Sequence, residues 1–213
     1  MKKTLYTGLT PPFSTNEEEF IHFPTIKIVP RESSDLAIVN AVKNMPFYTH
    51  IIFTSKSTVQ IFKSLFNPQC TEGKIILSVG KATSRALQSE GIHVDFTATC
   101  EQAEGVIALL EEMQLDQAKI LWPHSNRARD LISSYLESRQ VTCDDIVVYE
   151  TLLYTHDLKV PPDVFESIIF TSPSTVDGFF ANYAVIPANT EVRCIGAITQ
   201  AHYDKMYRKD NNR

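Results

Sequence analysis

The stretch I-I-F-T-S-K-S-T-V at residues 51–59 recurs as I-I-F-T-S-P-S-T-V at residues 168–176. Eight of the nine positions are identical at an offset of 117, and Phe62 and Phe179 extend the match. V-G-K-A-T at residues 79–83 is answered by I-G-A-I-T at residues 195–199, at an offset of 116. More weakly, K-T-L-Y at residues 3–6 is answered by K-I-L-W at residues 119–122. Matches in one order at nearly constant spacing read as an internal duplication. Each copy alternates short β-rich runs with amphipathic helical patterns, which predicts a parallel sheet covered on both faces. The expected class is α/β, built as two lobes from one duplicated unit.

Working outward, apolar runs at residues 75–79, 146–149 and 168–170 predict buried strands, with a further strand near residues 92–96. Thr99 and Gln102 have the spacing of a capping box ahead of Ala103, Val106, Ile107 and Leu110, which share one helical face. Ala128, Leu131, Ile132 and Tyr135 repeat that stripe. The second copy stops sooner, ending in a polar run at residues 207–213. Its sheet is therefore expected to be about one strand narrower, with fraying over the final residues.

The 213 residues are 43% hydrophobic and 21% charged, enough for a sizeable core. Acidic residues outnumber basic ones 25 to 20, a net charge of −5, which argues against a nucleic-acid binder. No apolar stretch approaches the roughly 20 residues that span a bilayer. Lys2 and Lys3 are followed by no apolar signal region, so a cytoplasmic protein with no membrane partner is expected. The four cysteines form no C-x-x-C pair and the six histidines are dispersed. Reduced, mostly buried thiols and no metal site follow. G-x-G-x-x-G, the phosphate-binding loop and G-x-S-x-G are all missing, and only seven glycines are present.

In open α/β sheets, ligands bind beyond the carboxyl ends of the strands, at loops that lead into helices. Both repeated motifs have that placement. Ser55 with Lys56 and Ser57, and Ser172 with Ser174, each follow an apolar run and precede a helix. Their hydroxyls are expected to cap, while the remaining helix-terminal amides favour an anion. Gly80 and Gly196 allow close approach, with Thr83 and Thr199 in the first turns. Five cations and one acid lie between residues 56 and 85. Of these Lys56 and Lys81 fall at strand-to-helix turns, as does Arg127 further on, and these three are candidates for holding an anionic ligand. Residues 101–116 carry five acids and no cation.

With these motifs in place the chain resembles the uroporphyrinogen-III synthases. The resemblance rests on the two repeated motifs, on V-G-K-A-T-S-R-A-L at residues 79–87, and on I-L-W-P-H-S-N-R-A-R-D-L-I leading to V-V-Y-E-T at residues 147–151. It implies two flavodoxin-like lobes with the substrate in the cleft between them. Residues 1–27 plus 151–213 would form one lobe and residues 31–147 the other, joined by strands at residues 23–30 and 147–154. It implies a hydro-lyase that closes hydroxymethylbilane, an anionic linear tetrapyrrole, with inversion of the last pyrrole through a spiro intermediate and loss of water. No cofactor or metal is implied, and a monomer suffices. By the same resemblance Tyr149 is the candidate catalytic side chain, a phenol that donates to a departing hydroxyl or a carboxylate. The family's T-R-P after the first strand is replaced here by Thr7-Gly8-Leu9, so one expected cation is missing. The alternative is a non-catalytic bilobed protein that binds a small anion.

Overall fold

The computed structural model of the chain describes residues 1–187 and 189–210. In chain order the elements are β1 (Lys2–Tyr6), β2 (Glu18–His22), β3 (Ile26–Pro30), α1 (Leu36–Asn44), β4 (His50–Phe53) and α2 (Lys56–Leu65). There follow β5 (Ile75–Ser78), α3 (Lys81–Ser89), β6 (Phe96–Thr97), α4 (Ala103–Glu111), β7 (Lys119–Ser125) and α5 (Leu131–Ser138). The chain then forms β8 (Thr142–Leu153), β9 (Ser167–Phe170), α6 (Pro173–Asn182), β10 (Glu191–Cys194) and α7 (Ala197–Asp210). It divides into two compact units, Met1–Lys27 with Thr151–Arg213, and Ile28–Glu150. The division falls within β3 and β8. These neighbours run in opposite directions, the Arg31 N–H donating to the Val148 carbonyl and the Tyr154 N–H to that of Thr25, both at 2.9 Å.

The middle unit holds a six-stranded sheet in the order β3-β8-β7-β4-β5-β6. The pairs β4·β5, β4·β7, β5·β6 and β7·β8 are all parallel. β4 is buried along its whole length, because helices cover both faces and no position can alternate toward water. On one face Ile38 of α1, Val59 and Phe62 of α2 and Leu87 of α3 pack over Ile51, Phe53 and Ile76. On the other, Val106 and Leu110 of α4 with Ile132 and Leu136 of α5 pack over Ile52, Leu77, Ile120 and Trp122.

The unit containing the termini holds a four-stranded sheet, β10-β9-β1-β2, also parallel. Its order matches the stretch β5-β4-β7-β8 of the larger sheet, strand for strand through the repeated motifs. Coverage on both faces, expected for each lobe, is corrected here. One apolar core is present, with Val176 and Phe179 of α6 and Tyr203 and Met206 of α7 over Leu5, Ile168 and Phe170. The counterparts of α4 and α5, which build the second core of the middle unit, are missing among the described residues. The expected shortening accounts for the first, but among the described residues the sheet is narrower by two strands, not by about one. The second is replaced by residues 7–17, which form no helix between β1 and β2.

The other face is mixed, with Tyr6, Phe20 and the buried Ile169 beside polar residues. The fully buried Thr4 and Ser167 share a 2.6 Å hydrogen bond, and Glu18 accepts from Thr4 and pairs with Arg193. The Thr4 hydroxyl, with Arg193 and Lys2 and against burial, holds the Glu18 carboxyl below its usual range.

Several local expectations need correction. The strand near residues 92–96 is reduced to Phe96–Thr97, Ile92 packing as core ahead of it. Gln102, not Thr99, precedes α4, and no side-chain cap closes there. α5 begins at Leu131, which is 36% exposed, and Leu136 takes the inward place instead. Cys100 is exposed and the other three thiols are half-buried, all free. Fraying was expected over about the last six residues; α7 instead runs to Asp210, and residues 211–213 lie outside the described residues. Among the described residues no helix is long and apolar enough to cross a membrane.

One close approach ties α6 to the start of β3. The Thr25 hydroxyl donates to the Thr175 carbonyl at 2.9 Å, and a Cβ at Gly178 would stand 2.1 Å from the Thr25 carbonyl oxygen. Alanine gains up to ~1 kcal/mol of helix propensity over glycine. Overpacking against a backbone carbonyl costs about 1–3 kcal/mol and wins. Gly178→Ala is expected to lower the denaturation midpoint, and a raised midpoint would show that the helix can slide away.

Candidate active site

Parallel strands end on one side, so in the middle unit the turns after β4, β5 and β7 open along a single carboxyl edge. The turn after β4 begins it. Ser55 is the N-cap of α2, extended at φ −158° and ψ 155°, and its Oγ accepts the Thr58 N–H at 3.0 Å. The amides of Lys56 and Ser57 lie in the first turn, where a helix supplies no acceptors of its own. Lys56 is exposed and Ser57 half-buried.

Tyr149 of β8 reaches the same turn. Its ring is 5% exposed within the apolar core below α2, and its Oη lies 2.9 Å from Ser55 Oγ. Ser55 Oγ is also 2.8 Å from Thr58 Oγ1. Each hydroxyl has one proton and two lone pairs. Ser55 can therefore accept the helix amide and donate to Tyr149, which leaves the phenolic proton for a third group. The backbone of Tyr149 holds the next turn, its carbonyl accepting the Asn126 N–H at 3.1 Å. The register of β7 and β8 shifts between His124 and Ser125, and this places Ser125 opposite Tyr149. Arg127 is exposed in that turn, with its N–H on Ser125 Oγ at 3.2 Å.

The turn after β5 differs from expectation. Gly80 is extended, and the Lys81 N–H donates at 2.9 Å to the carboxylate of Glu101, so this helix terminus already holds an anion of the chain itself. A Cβ at Gly80 would come within 2.5 Å of the Glu101 side chain. Lys81, Arg85 and Glu101 share a surface hollow of about 400 Å³. Thr83 is 4% exposed and Thr199 3%, so the rim hydroxyls expected from them are corrected: both are buried in the first turns of α3 and α7.

In the other unit Ser172 precedes α6 in the same extended form as Ser55, at φ −164° and ψ 163°. Thr175 Oγ1 accepts the N–H groups of Thr171 and Ser172, and Ser172 Oγ lies 2.9 Å from Ser174 Oγ. The one difference between the repeated motifs matters here. Pro173 supplies neither the charge nor the N–H that Lys56 supplies. Gly196, at φ +84°, makes the turn into α7 in a conformation that favours glycine.

Two groupings escaped the sequence reading. One is Glu101 on Lys81. The other is His124, 7% exposed and tilted against Trp122 with ring centroids 4.3 Å apart, with Nε2 on the Asp145 carboxylate and Nδ1 on the Ser125 carbonyl at 2.8 Å. Burial pushes Asp145 up, but the hydrogen bond and charge of His124, with the Ser133 hydroxyl, reverse this and hold it below the usual carboxylate range. Among the described residues no group of three or more histidines, cysteines and acids could hold a metal.

The fold and these turns define a two-unit parallel α/β protein with amide-bearing helix starts along the carboxyl edge of each sheet. A family model described as uroporphyrinogen-III synthase HemD matches residues 10–210. The chain belongs to the uroporphyrinogen-III synthase family. The porphyrin biosynthesis protein HemD of Ruminiclostridium josui is 28% identical over 189 residues, 84% of this chain but only 37% of that protein. The uroporphyrinogen-III synthase of Chlorobaculum parvum is 24% identical over 213 residues, 92% of this chain and 84% of the relative. The fold is that of the uroporphyrinogen-III synthetase structure from Helicobacter pylori, with a TM-score of 0.67 at 17% identity over 97% of this chain and 89% of that one. A mutant uroporphyrinogen III synthase from Thermus thermophilus gives 0.62 at 13% identity, over 96% and 89%.

The departure at Gly8 has a steric cause. A Cβ there would meet Thr171 Cγ2 at 2.8 Å, Thr171 Oγ1 at 2.9 Å and Tyr6 Cε1 at 2.9 Å. Thr171 belongs to the repeated motif, so the turn after β1 packs against the turn after β9. Gly8→Arg is expected to lose about 1–3 kcal/mol of stability in chemical denaturation. An unchanged midpoint would show that Thr171 and Tyr6 give way.

Proposed function

We propose that the chain is a uroporphyrinogen-III synthase that closes hydroxymethylbilane with inversion of its last pyrrole ring. The reaction loses the substrate's hydroxyl as water, which makes the enzyme a hydro-lyase. The substrate is a flexible polyacid, and the first-turn amides of α2, with Lys56 and Arg127, would bind its carboxylates. Lys81 would join them through its side chain, its amide being engaged by Glu101. Several charge-assisted hydrogen bonds at ~1.5–3 kcal/mol each cover the roughly 8 kcal/mol that micromolar binding needs. Ser172, Ser174 and the turns at Gly196 and Thr199 would contribute the equivalent edge of the second sheet. A monomeric, cytoplasmic enzyme without cofactor or nucleic-acid partner completes the reading.

The observation that favours catalysis over binding alone is the 2.9 Å contact between Tyr149 Oη and Ser55 Oγ at the start of α2. With Ser55 donating to its oxygen, the phenol is a better donor to the departing hydroxyl. The closed product without inversion also forms unaided, so the protein's main task is to hold the reacting carbons in the order that gives inversion. A differential contact of ~3 kcal/mol in the transition state would nearly exclude the uninverted isomer.

The test is to supply freshly made hydroxymethylbilane and separate the oxidised type I and type III products. Type III in excess over the enzyme-free control is expected. Type I alone would leave the reading as a non-catalytic anion binder. Tyr149→Phe is expected to lower kcat at least about tenfold, ~1.4 kcal/mol of transition-state stabilisation, while unfolding stays cooperative. Wild-type turnover with an unchanged isomer ratio would remove Tyr149 from the mechanism.

A further inference from the structure

His124 closes β7, immediately before the turn that carries Arg127. Its two ring nitrogens face two acceptors. Nδ1 lies 2.8 Å from the Ser125 carbonyl oxygen, and Nε2 is on the Asp145 carboxylate. The ring thus bridges the end of β7 and the Asp145 carboxylate of β8. The Ser125 carbonyl also accepts the Ala128 N–H at 3.0 Å, and the next residue, Asn126, donates to the Tyr149 carbonyl. The ring therefore holds the one peptide unit from which the turn departs.

We infer that the His124–Asp145 pair is a positioning device that fixes the residue 126–130 turn, and with it Arg127, for binding of the anionic substrate. The inference rests on the synthase reading of the edge. Removal of either partner would free the Ser125 peptide and loosen the turn, so substrate affinity should fall while turnover of bound substrate is kept.

The other groups packed around the ring are neutral or already paired. β8 presents Asp145 and, coupled to it, Cys143, whose thiol burial pushes up to about 12, beyond the working range. From α5 the neutral Ser133 hydroxyl reaches Asp145. The face toward β4 offers the Trp122 ring and Thr54, also neutral, which share a 3.4 Å hydrogen bond. In the following turn Arg129 is engaged in a two-pronged bond with Glu104, at 2.7 Å and 2.8 Å.

The test is kinetic. His124→Phe keeps an aromatic ring over Trp122 but neither hydrogen bond, and Asp145→Asn removes the carboxylate that holds the ring. Both are expected to raise KM about tenfold, the worth of one charge-assisted hydrogen bond, with kcat within twofold. An active wild type whose KM neither variant changes, or a loss that falls on kcat alone, overturns the clamp and leaves the synthase reading standing. A wild type that forms no type III product overturns both.

Discussion

Tyr149 imposes the constraint on which the middle unit depends. A phenol buried to this extent must find a hydrogen-bond partner for its hydroxyl, because leaving it unpaired costs about 1–3 kcal/mol. The partner is Ser55, and Ser55 is also the cap of α2. A single side chain thus joins the core beneath the helix to the helix start. Its carbonyl does the same for the turn after β7 through Asn126. Two turns that are far apart in sequence are set at fixed positions along one edge by the ring and backbone of one residue. That is the rigidity a site needs when its work is to choose between two ways of closing a flexible chain.

The two sheets share a strand order but not their surroundings. In the middle unit α4 and α5 make a second apolar core, and the strand residues beneath them are Ile52, Leu77, Ile120 and Trp122. In the other unit these helices have no counterpart among the described residues, and the corresponding face carries Thr4, Ser167, Glu18 and Arg193. There the buried hydroxyls of Thr4 and Ser167 satisfy each other and Glu18 pairs with Arg193, so these polar groups are hydrogen-bonded although no helix lies over them. The same unit carries Pro173 in place of Lys56 and packs Gly8 against Thr171. Pro173 takes both a cation and an amide from this edge.

Much of this was readable in the chain before any coordinates. The repeated motifs placed Ser55 and Ser172 at helix starts because strand, cap and helix are local and follow one another within a few residues. Tyr149 came only from the resemblance, since nothing local ties V-V-Y-E-T to Ser55. The misses share a physical cause, which is that they depend on how distant segments lie side by side. Asp145 meets His124 because β7 and β8 pair with Trp122 opposite Asp145, a register no composition reveals. In the sequence Glu101 is only one of five acids between residues 101 and 116, and the turn after β6 brings it onto the Lys81 amide. Leu131 sat correctly on a helical stripe, but the helix starts one turn later than that stripe and its face is rotated outward. Thr83 and Thr199 were placed in the right turns, yet a side chain in a first turn can point to the sheet as readily as to solvent.

Glu101 also bears on how an acidic chain would hold an acidic substrate. At physiological salt, charges more than ~8 Å away are largely screened, so the net charge of −5 weighs less than the few groups along the edge. Among these, the start of α3 has its anion preference already met. A substrate carboxylate would have to displace Glu101 to use the Lys81 amide, exchanging one carboxylate for another with little net gain. Among the described residues the start of α2 has no such internal occupant on its first two amides, since Ser55 takes only the Thr58 N–H. Binding strength in the proposed reaction therefore concentrates at α2 and at the turn after β7, which are the two places that Tyr149 holds. The groups that grip the substrate and the group that would protonate its leaving hydroxyl are then fixed by the same few hydrogen bonds. A loss of order in one is felt by the other.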